Sequence, residues 1–259
     1  FGNHGSGIQL NGDYAFGGGG TITNALVERN VIFNNGSGGG GALNNEGVQD
    51  SVFRNNVLYD NHASGIVFWI GGNDAPATSS SNRNVAVNNT VIQAADGRAA
   101  LQIDRGYDNV AFNNILFHPG SSARDAISIT TTDTNTLSNF NIVSANFELA
   151  DEDRTLAQWR SLTGNDADST SLTAAQMQAL FVNFAAHDFH LSGSNAAADS
   201  GTAAFDGKSA PGTDFAGTAR PAGGGFDIGA FELVAVPEPA AAALLGIPVL
   251  WFGTRRLRR

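Results

Sequence analysis

The chain has no cysteine, a single methionine and only 15% charged residues in a length of 259. Without cysteine there is no disulfide and no thiolate metal site, although this absence does not assign a compartment. The scarcity of charge and methionine, set against 32 glycines and abundant Asn, Ser and Thr, argues against a helical bundle. It describes many short strands joined by many turns. Basic patches with interleaved aromatic residues are also lacking. The formal charge is -10, and residues 237 to 259 hold four of the 14 basic residues but one of the 24 acidic ones, so the rest of the chain carries -13. Such a surface repels a phosphate backbone, and nucleic acid is not an expected partner. The 42% apolar content still supplies a sizeable core, so the glycines and asparagines read as turns of a regular fold.

A short pattern recurs: apolar, three residues of any kind, Asn, any residue, apolar. It occurs in "LVERNVI", "VFRNNVL", "VAVNNTV", "VAFNNIL" and "LSNFNIV", which place Asn30, Asn56, Asn89, Asn114 and Asn141 at one repeat position. Their spacings of 26, 33, 25 and 27 residues are those of stacked supersecondary units. Ahead of each pattern lies another strand-like stretch, namely "GIQL", "GALN", "GIVFW", "AALQI" and "AISIT". Alternation turns Ile8/Leu10, Ile66/Phe68, Leu101/Ile103 and Ile127/Ile129 inward. Two or three short strands per turn of about 25 residues are what a right-handed parallel β-helix requires.

The recurring Asn has a structural explanation. Stacked coils bring equivalent residues to about 4.8 Å, and an amide carries both a donor and an acceptor, so the five asparagines are expected to form a ladder along the axis. Glu28 and Arg54 share a position two residues earlier and are placed to pair between coils. Extra length falls in "NGDYAFGGGG" and "IGGNDAPATSSS", both after the same strand, as either binding-face insertions or loop drift. After Phe147 the pattern stops. "DEDRTLAQWRSLTG" and "SLTAAQMQALF" are helix candidates, and this region is expected to cap the open end of the solenoid.

These repeats resemble the right-handed parallel β-helix proteins of the pectate-lyase-like superfamily, over residues 1 to 146. From Leu156 to Glu232, "LAQWRSLTGNDADS", "LFVNFAAHDFHLSGSNAAADSGT" and "GTARPAGGGFDIGAFE" resemble the C-terminal region of surface β-helix proteins called choice-of-anchor Q. The Ser-Pro-Ala usual in that group is replaced here by Asn195-Ala196-Ala197. Finally, "PEP" at Pro237, Glu238 and Pro239, an apolar run from Ala240 to Gly253, and a basic end including Arg255 and Arg256 are similar to a PEP-CTERM sorting signal. The apolar run is shorter than the roughly 20 residues that span a bilayer as a helix, and its arginines would stay cytoplasmic.

The resemblance implies an all-β fold: a right-handed parallel β-helix over 1–146, a partly helical C-terminal capping region over 147–233, and a short hydrophobic helix within 234–259. Because the chain starts at Phe1 within what reads as a repeat, further N-terminal coils are expected. The resemblance also implies export from a Gram-negative cell, transient anchoring in the inner membrane, an exosortase-type processing partner, and a final place at the cell surface or outside.

For function the outward side of the first strand row is the most informative. It aligns Gln9/Asn11, Val67/Trp69, Gln102/Asp104 and Ser128/Thr130, with both insertions beside it. Aromatic faces stack on sugar rings, and amides and carboxylates bind hydroxyls, so Asn11, Trp69, Gln102 and Asp104 are the candidate polysaccharide contacts. The alternative is a β-helix polysaccharide lyase or glycoside hydrolase. Its candidates are Asp104 with Asp125 as an acid/base pair, or Asp104 and Asp108 as calcium ligands with Arg105 or Arg124 as base. No other cofactor and no metal site is evident. Turn closure is the competing explanation for these aspartates.

Overall fold

The computed structural model describes residues 1–234 except 13, 15–19, 72–75, 121–124, 133 and 194. Its centre is a parallel β-helix with three sheets. Sheet A stacks Ile8–Asn11, Gly41–Glu46, Ser64–Trp69, Leu101–Ile103, Ile127–Ile129 and Asn146–Leu149 in parallel, and ends with antiparallel Glu152–Thr155. Sheet B stacks Leu26–Glu28, Val52–Arg54, Val85–Val87, Val110–Phe112 and Leu137–Asn139. Sheet C holds Val31–Phe33, Val57–Tyr59, Thr90–Ile92, Ile115–Phe117, Ile142–Val143 and Thr170–Ser171. Each coil passes from A to B to C and then starts the next strand of A.

Inside the tube, equivalent side chains stack in columns, because parallel strands in register put like positions one above another. Leu43, Ile66, Leu101, Ile127 and Phe147 form one such column in sheet A. Leu58, Val91, Leu116 and Val143 form its counterpart in sheet C. Sheet B contributes Val27, Phe53, Ala86 and Ala111. The expected inward parity of sheet A therefore holds at every position named.

The asparagine ladder is present between sheets B and C. The backbone N–H and Nδ2 of Asn30 both donate to Asn56 Oδ1, and the same pair of bonds runs from Asn56 to Asn89, Asn89 to Asn114, and Asn114 to Asn141. Each distance lies between 2.9 and 3.1 Å. A second ladder joins Asn3, Asn35 and Asn61, and a third joins Ser51, Asn84 and Asn109. Immediately before the first ladder lie Arg29, Asn55, Asn88, Asn113 and Phe140, all with φ between 52° and 56°. A sharp corner needs one residue in the left-handed region, and Asn tolerates it best after Gly. The Glu28–Arg54 pair also forms, at 2.7 Å across neighbouring coils.

The solenoid continues beyond residue 146, since Asn146–Leu149 is a sixth parallel strand of sheet A and Thr170–Ser171 pairs with Ile142–Val143. Two helices follow as expected. Helix α1 (Leu156–Thr163) begins with a capping box between Thr155 and Gln158 and ends at Gly164 with φ 74°. It closes the C-terminal end of the tube, where Trp159 is fully buried against Phe147 and donates to Asp166 at 2.9 Å. Helix α2 (Ala174–Ala179) opens with the equivalent box from Thr173 and Gln176.

Residues from α2 to Val234 do something else: they fold back along the flank as a strap over sheets B and C. Met177, Phe181, Phe189, Ile228 and Phe231 pack on the outward Val57, Ile92, Ile115, Phe117 and Ile142 of sheet C. Phe205 and Ala210 pack against Val85, Val87, Val110 and Phe112 of sheet B. The left-handed row grips the strap. Asn55 Nδ2 donates to Thr213 O, Asn88 Nδ2 to the carbonyls of Asp227 and Gly229, and Asn113 Nδ2 to Thr202 O, at 2.8 to 3.1 Å. The expected cap thus divides between an end plug and a lateral cover.

The "DIGAFE" run has a physical role here. Arg220 and Glu232 form an ion pair with both side chains fully buried, and Arg220 also donates to Gly229 O at 2.9 Å. Glu232 accepts from the N–H of Ala222 and Asp227, while Asp214 accepts from Glu232 N. Burial pulls the Arg220 guanidinium below its ordinary value, a fall opposed by Glu232, Asp214 and Asp227. Among the described residues no helix is long and apolar enough to cross a membrane. The expected hydrophobic helix and Pro237, Glu238, Pro239, Arg255 and Arg256 lie outside the described residues.

Candidate functional site

In their middle coils sheets B and C are largely apolar on both sides, because one side lines the tube and the other meets the strap. Sheet A differs. Its outward row runs Gln9, Asn44, Val67, Gln102, Ser128 and Glu148, mostly polar, and none of these belongs to the apolar clusters that the strap forms with sheets B and C.

On that face lies a cleft of about 180 Å³ lined by Gly40, Asn44, Ser64, Val67, Trp69, Arg98, Gln102 and Asp104. Three of the four expected glycan contacts, Trp69, Gln102 and Asp104, are therefore brought together. The fourth, Asn11, stands in register with Glu46, which in turn stands beside Trp69, and is outside the cleft lining.

The polar groups of the cleft are held before any ligand arrives. Trp69 Nε1 donates to Asn44 Oδ1 at 2.6 Å, and Asn44 Nδ2 donates to Ser6 Oγ at 3.1 Å, so the indole is tied by its edge. Ser64 Oγ donates to Gln102 Oε1, which fixes the amide and leaves Nε2 as the group with hydrogens to give. Thr130 Oγ1 donates to Asp104 Oδ1 at 3.0 Å and Arg105 Nε approaches the same oxygen at 3.4 Å. Asp104 Oδ2 has no partner among the described residues. The partly exposed edge of the Trp69 indole, one donor and one acceptor thus converge, groups that can meet a sugar and its hydroxyls.

The catalytic candidates do not converge. Asp125 is buried with 3% exposure, and its carbonyl accepts from Ala100 N at the start of the sheet A strands, whereas Asp104 sits at their far end beside Phe68. Five strand residues separate those positions, about 16 Å, beyond the 5 to 9.5 Å or so of paired glycosidase carboxylates. Arg105 is tied down by donating to Ile70 O at 2.8 Å. Asp108 accepts from Asn135 at 2.7 Å on the next corner. Asp104 Oδ1 and Asp108 Oδ1 thus each accept from a side-chain donor of the next coil, Thr130 and Asn135. Among the described residues no three His, Asp or Glu side chains converge as metal ligands. Arg124 lies outside the described residues.

His62 and His187 each meet a surface carboxylate, Asp96 at 2.8 Å and Asp60 at 3.1 Å.

Sequence reasoning missed Asn44, Ser64 and Arg98. The signal for Asn44 was available, because extending "GALN" to "GALNNE" in register with "SGIVFW" places Asn44 beside Val67 and Glu46 beside Trp69. Ser64 is the first residue of that same strand. Arg98 gave no pattern signal, since it lies in the turn before a strand.

The fold and cleft define a parallel β-helix whose strap covers two sheets and whose cleft lies on the third. Comparison of the chain with models of known families, with curated proteins and with solved structures finds no match in any of the three.

Proposed function

We propose that the chain is an exported surface protein that holds polysaccharide on the uncovered face of sheet A. The observation that carries this reading is the preorganised cleft, in which Trp69, Gln102 and Asp104 are each fixed by a neighbour while Gln102 Nε2 and Asp104 Oδ2 are left available. Binding groups held in place lose less entropy when a ligand arrives. The separation of Asp104 from Asp125 favours binding over hydrolysis.

The surface location rests on the sequence: the choice-of-anchor Q resemblance of 156–232 and the PEP-CTERM resemblance of 237–259, with an exosortase-type enzyme as the processing partner and the inner membrane as a transient one. The Arg220–Glu232 knot supports it by giving the "DIGAFE" run a task, to fasten the segment directly ahead of that signal to the β-helix.

Affinity electrophoresis tests the binding reading. The intact chain is expected to be retarded in gels containing bacterial exopolysaccharide, and Trp69→Ala to migrate freely while still unfolding in one cooperative transition. Equal retardation of the two proteins would refute the assignment of the cleft.

A further inference from the structure

The cleft has a direction. Arg98 N donates to Ala63 O at 3.1 Å and Asp104 N donates to Phe68 O at 2.8 Å, so these two residues mark opposite ends of the same pair of strands. Between them lie Ser64, Val67 and Gln102, and at the Asp104 end stands Trp69. Along the solenoid axis, by contrast, the lining is only three coils deep, from Asn44 through Val67 to Gln102. The long dimension therefore runs with the strands, for about 16 to 20 Å over five or six residues.

The two ends differ in charge. At the Trp69 end, Asp104 is half-shielded and Arg105 is already engaged with it and with Ile70 O. At the other end Arg98 is exposed, and no carboxylate among the described residues pairs with it. Of the other arginines, Arg54, Arg83 and Arg154 are held by Glu28, Asp50 and Glu152 respectively, and Arg29 donates to Thr213 Oγ1. The planar fork of donors on Arg98 suits a carboxylate or sulfate.

We infer that the cleft takes a short glycan segment lying across the coils, with an uncharged ring on Trp69 and an anionic sugar at Arg98. This rests on the polysaccharide reading of the same cleft and adds the ligand's charge and direction. Gln102 and Asp104 supply one donor and one acceptor to neighbouring hydroxyls of the uncharged ring. Arg98 accounts for discrimination rather than for the bulk of the contact, because an exposed charge pair contributes modestly and is screened by salt.

Isothermal titration with three probes tests the inference: an oligosaccharide of alternating hexose and hexuronate, its carboxyl-reduced form, and a sulfated hexose oligosaccharide. The wild-type chain is expected to prefer the acidic form over the reduced one by about tenfold, a preference that falls as salt rises. Arg98→Gln is expected to erase that preference, bringing the affinities for the acidic and reduced forms together, and Arg98→Lys to retain part of it. Comparison of the hexuronate with the sulfated probe distinguishes the two anions. If the glycans bind through Trp69 but Arg98→Gln leaves the acidic-to-reduced ratio unaltered, the inference is wrong and the cleft assignment stands. If none of the three binds, or if Trp69→Ala binds them as well as wild type, both readings fail together.

Discussion

Asn88 and Asn89 are adjacent in sequence and point in opposite directions. Asn89 turns into the ladder, accepting from Asn56 N and Nδ2 and donating to Asn114 Oδ1, while Asn88, at φ 53°, reaches out to the carbonyls of Asp227 and Gly229. One dipeptide thereby holds coil to coil and coil to strap.

The ladder predicts a gradient of stability. Asn89→Ala leaves the buried Asn56 N–H without an acceptor and removes one donor from the Phe53 carbonyl, and an unsatisfied buried group costs about 1–3 kcal/mol, so a loss of about 2–3 kcal/mol is expected. Asn30 sits partly exposed in the first coil, where water replaces lost bonds, and Asn30→Ala is expected to cost about 1 kcal/mol. Urea denaturation of both variants checks the order. Equal losses would contradict a cooperative buried ladder.

The strap knot predicts an asymmetric pair of mutants. Arg220→Met leaves Glu232 buried without its cation and is expected to cost about 3–5 kcal/mol, with the strap released and the outer faces of sheets B and C exposed. Arg220→Met combined with Glu232→Met is expected to recover a substantial part of that loss. Thermal melting together with dye binding to the freed apolar surface reads both effects.

Two carboxylates give stability opposite dependences on pH. The hydrogen bond from Arg83 holds Asp50 below the usual aspartate value, so its contribution is present above the ordinary value and lost as pH falls through the lowered one. For Asp227 burial is the largest influence and raises its value, despite N–H bonds from Asp199 and Leu233. Its contribution is full below the ordinary aspartate value and lost as pH rises through the raised one. Asp50→Asn is expected to flatten the acid limb of the stability curve, by under about 1 kcal/mol because the pair is exposed. Asp227→Asn is expected to flatten a slope of the opposite sign at higher pH. Chemical denaturation across pH 2–8 measures both.

The sorting proposal predicts a localisation. Expressed in a Gram-negative host with an exosortase, after addition of a secretion leader, the chain is expected to reach the surface, whereas a version ending at Val234 is released in soluble form. Fractionation with antibody detection distinguishes the two, and identical distributions would remove the anchor role of 235–259.

Much of this architecture was legible in the sequence, and for identifiable reasons. Five asparagines in phase fix the coil register, and once the register is known the parity of Leu101 and Ile103 places Gln102 and Asp104 outside. The strap was not legible as a lateral cover, yet its trace is there: "VAV", "VAF" and "ILF" are apolar at outward positions, which a solvated sheet would not afford. In sheet A "IQL", "LQI", "ISI" and "FEL" alternate, and that contrast sets this face apart. The partners that lock Trp69 and Gln102 need one further step, since Asn44 emerges only when "GALN" is extended to "GALNNE" in register with "SGIVFW", and Ser64 stands just ahead of the stretch "GIVFW".

The most direct measurement is a nitrogen-15 chemical-shift titration with an acidic oligosaccharide. The indole N–H of Trp69 and the side-chain amides of Asn44 and Gln102 report from the floor of the cleft itself. The account predicts that these signals shift together and saturate at one affinity, while the ladder amides of Asn56, Asn89 and Asn114 stay in place. Saturable shifts confined to the strap, or none at the three cleft signals across acidic and neutral glycans, would contradict it.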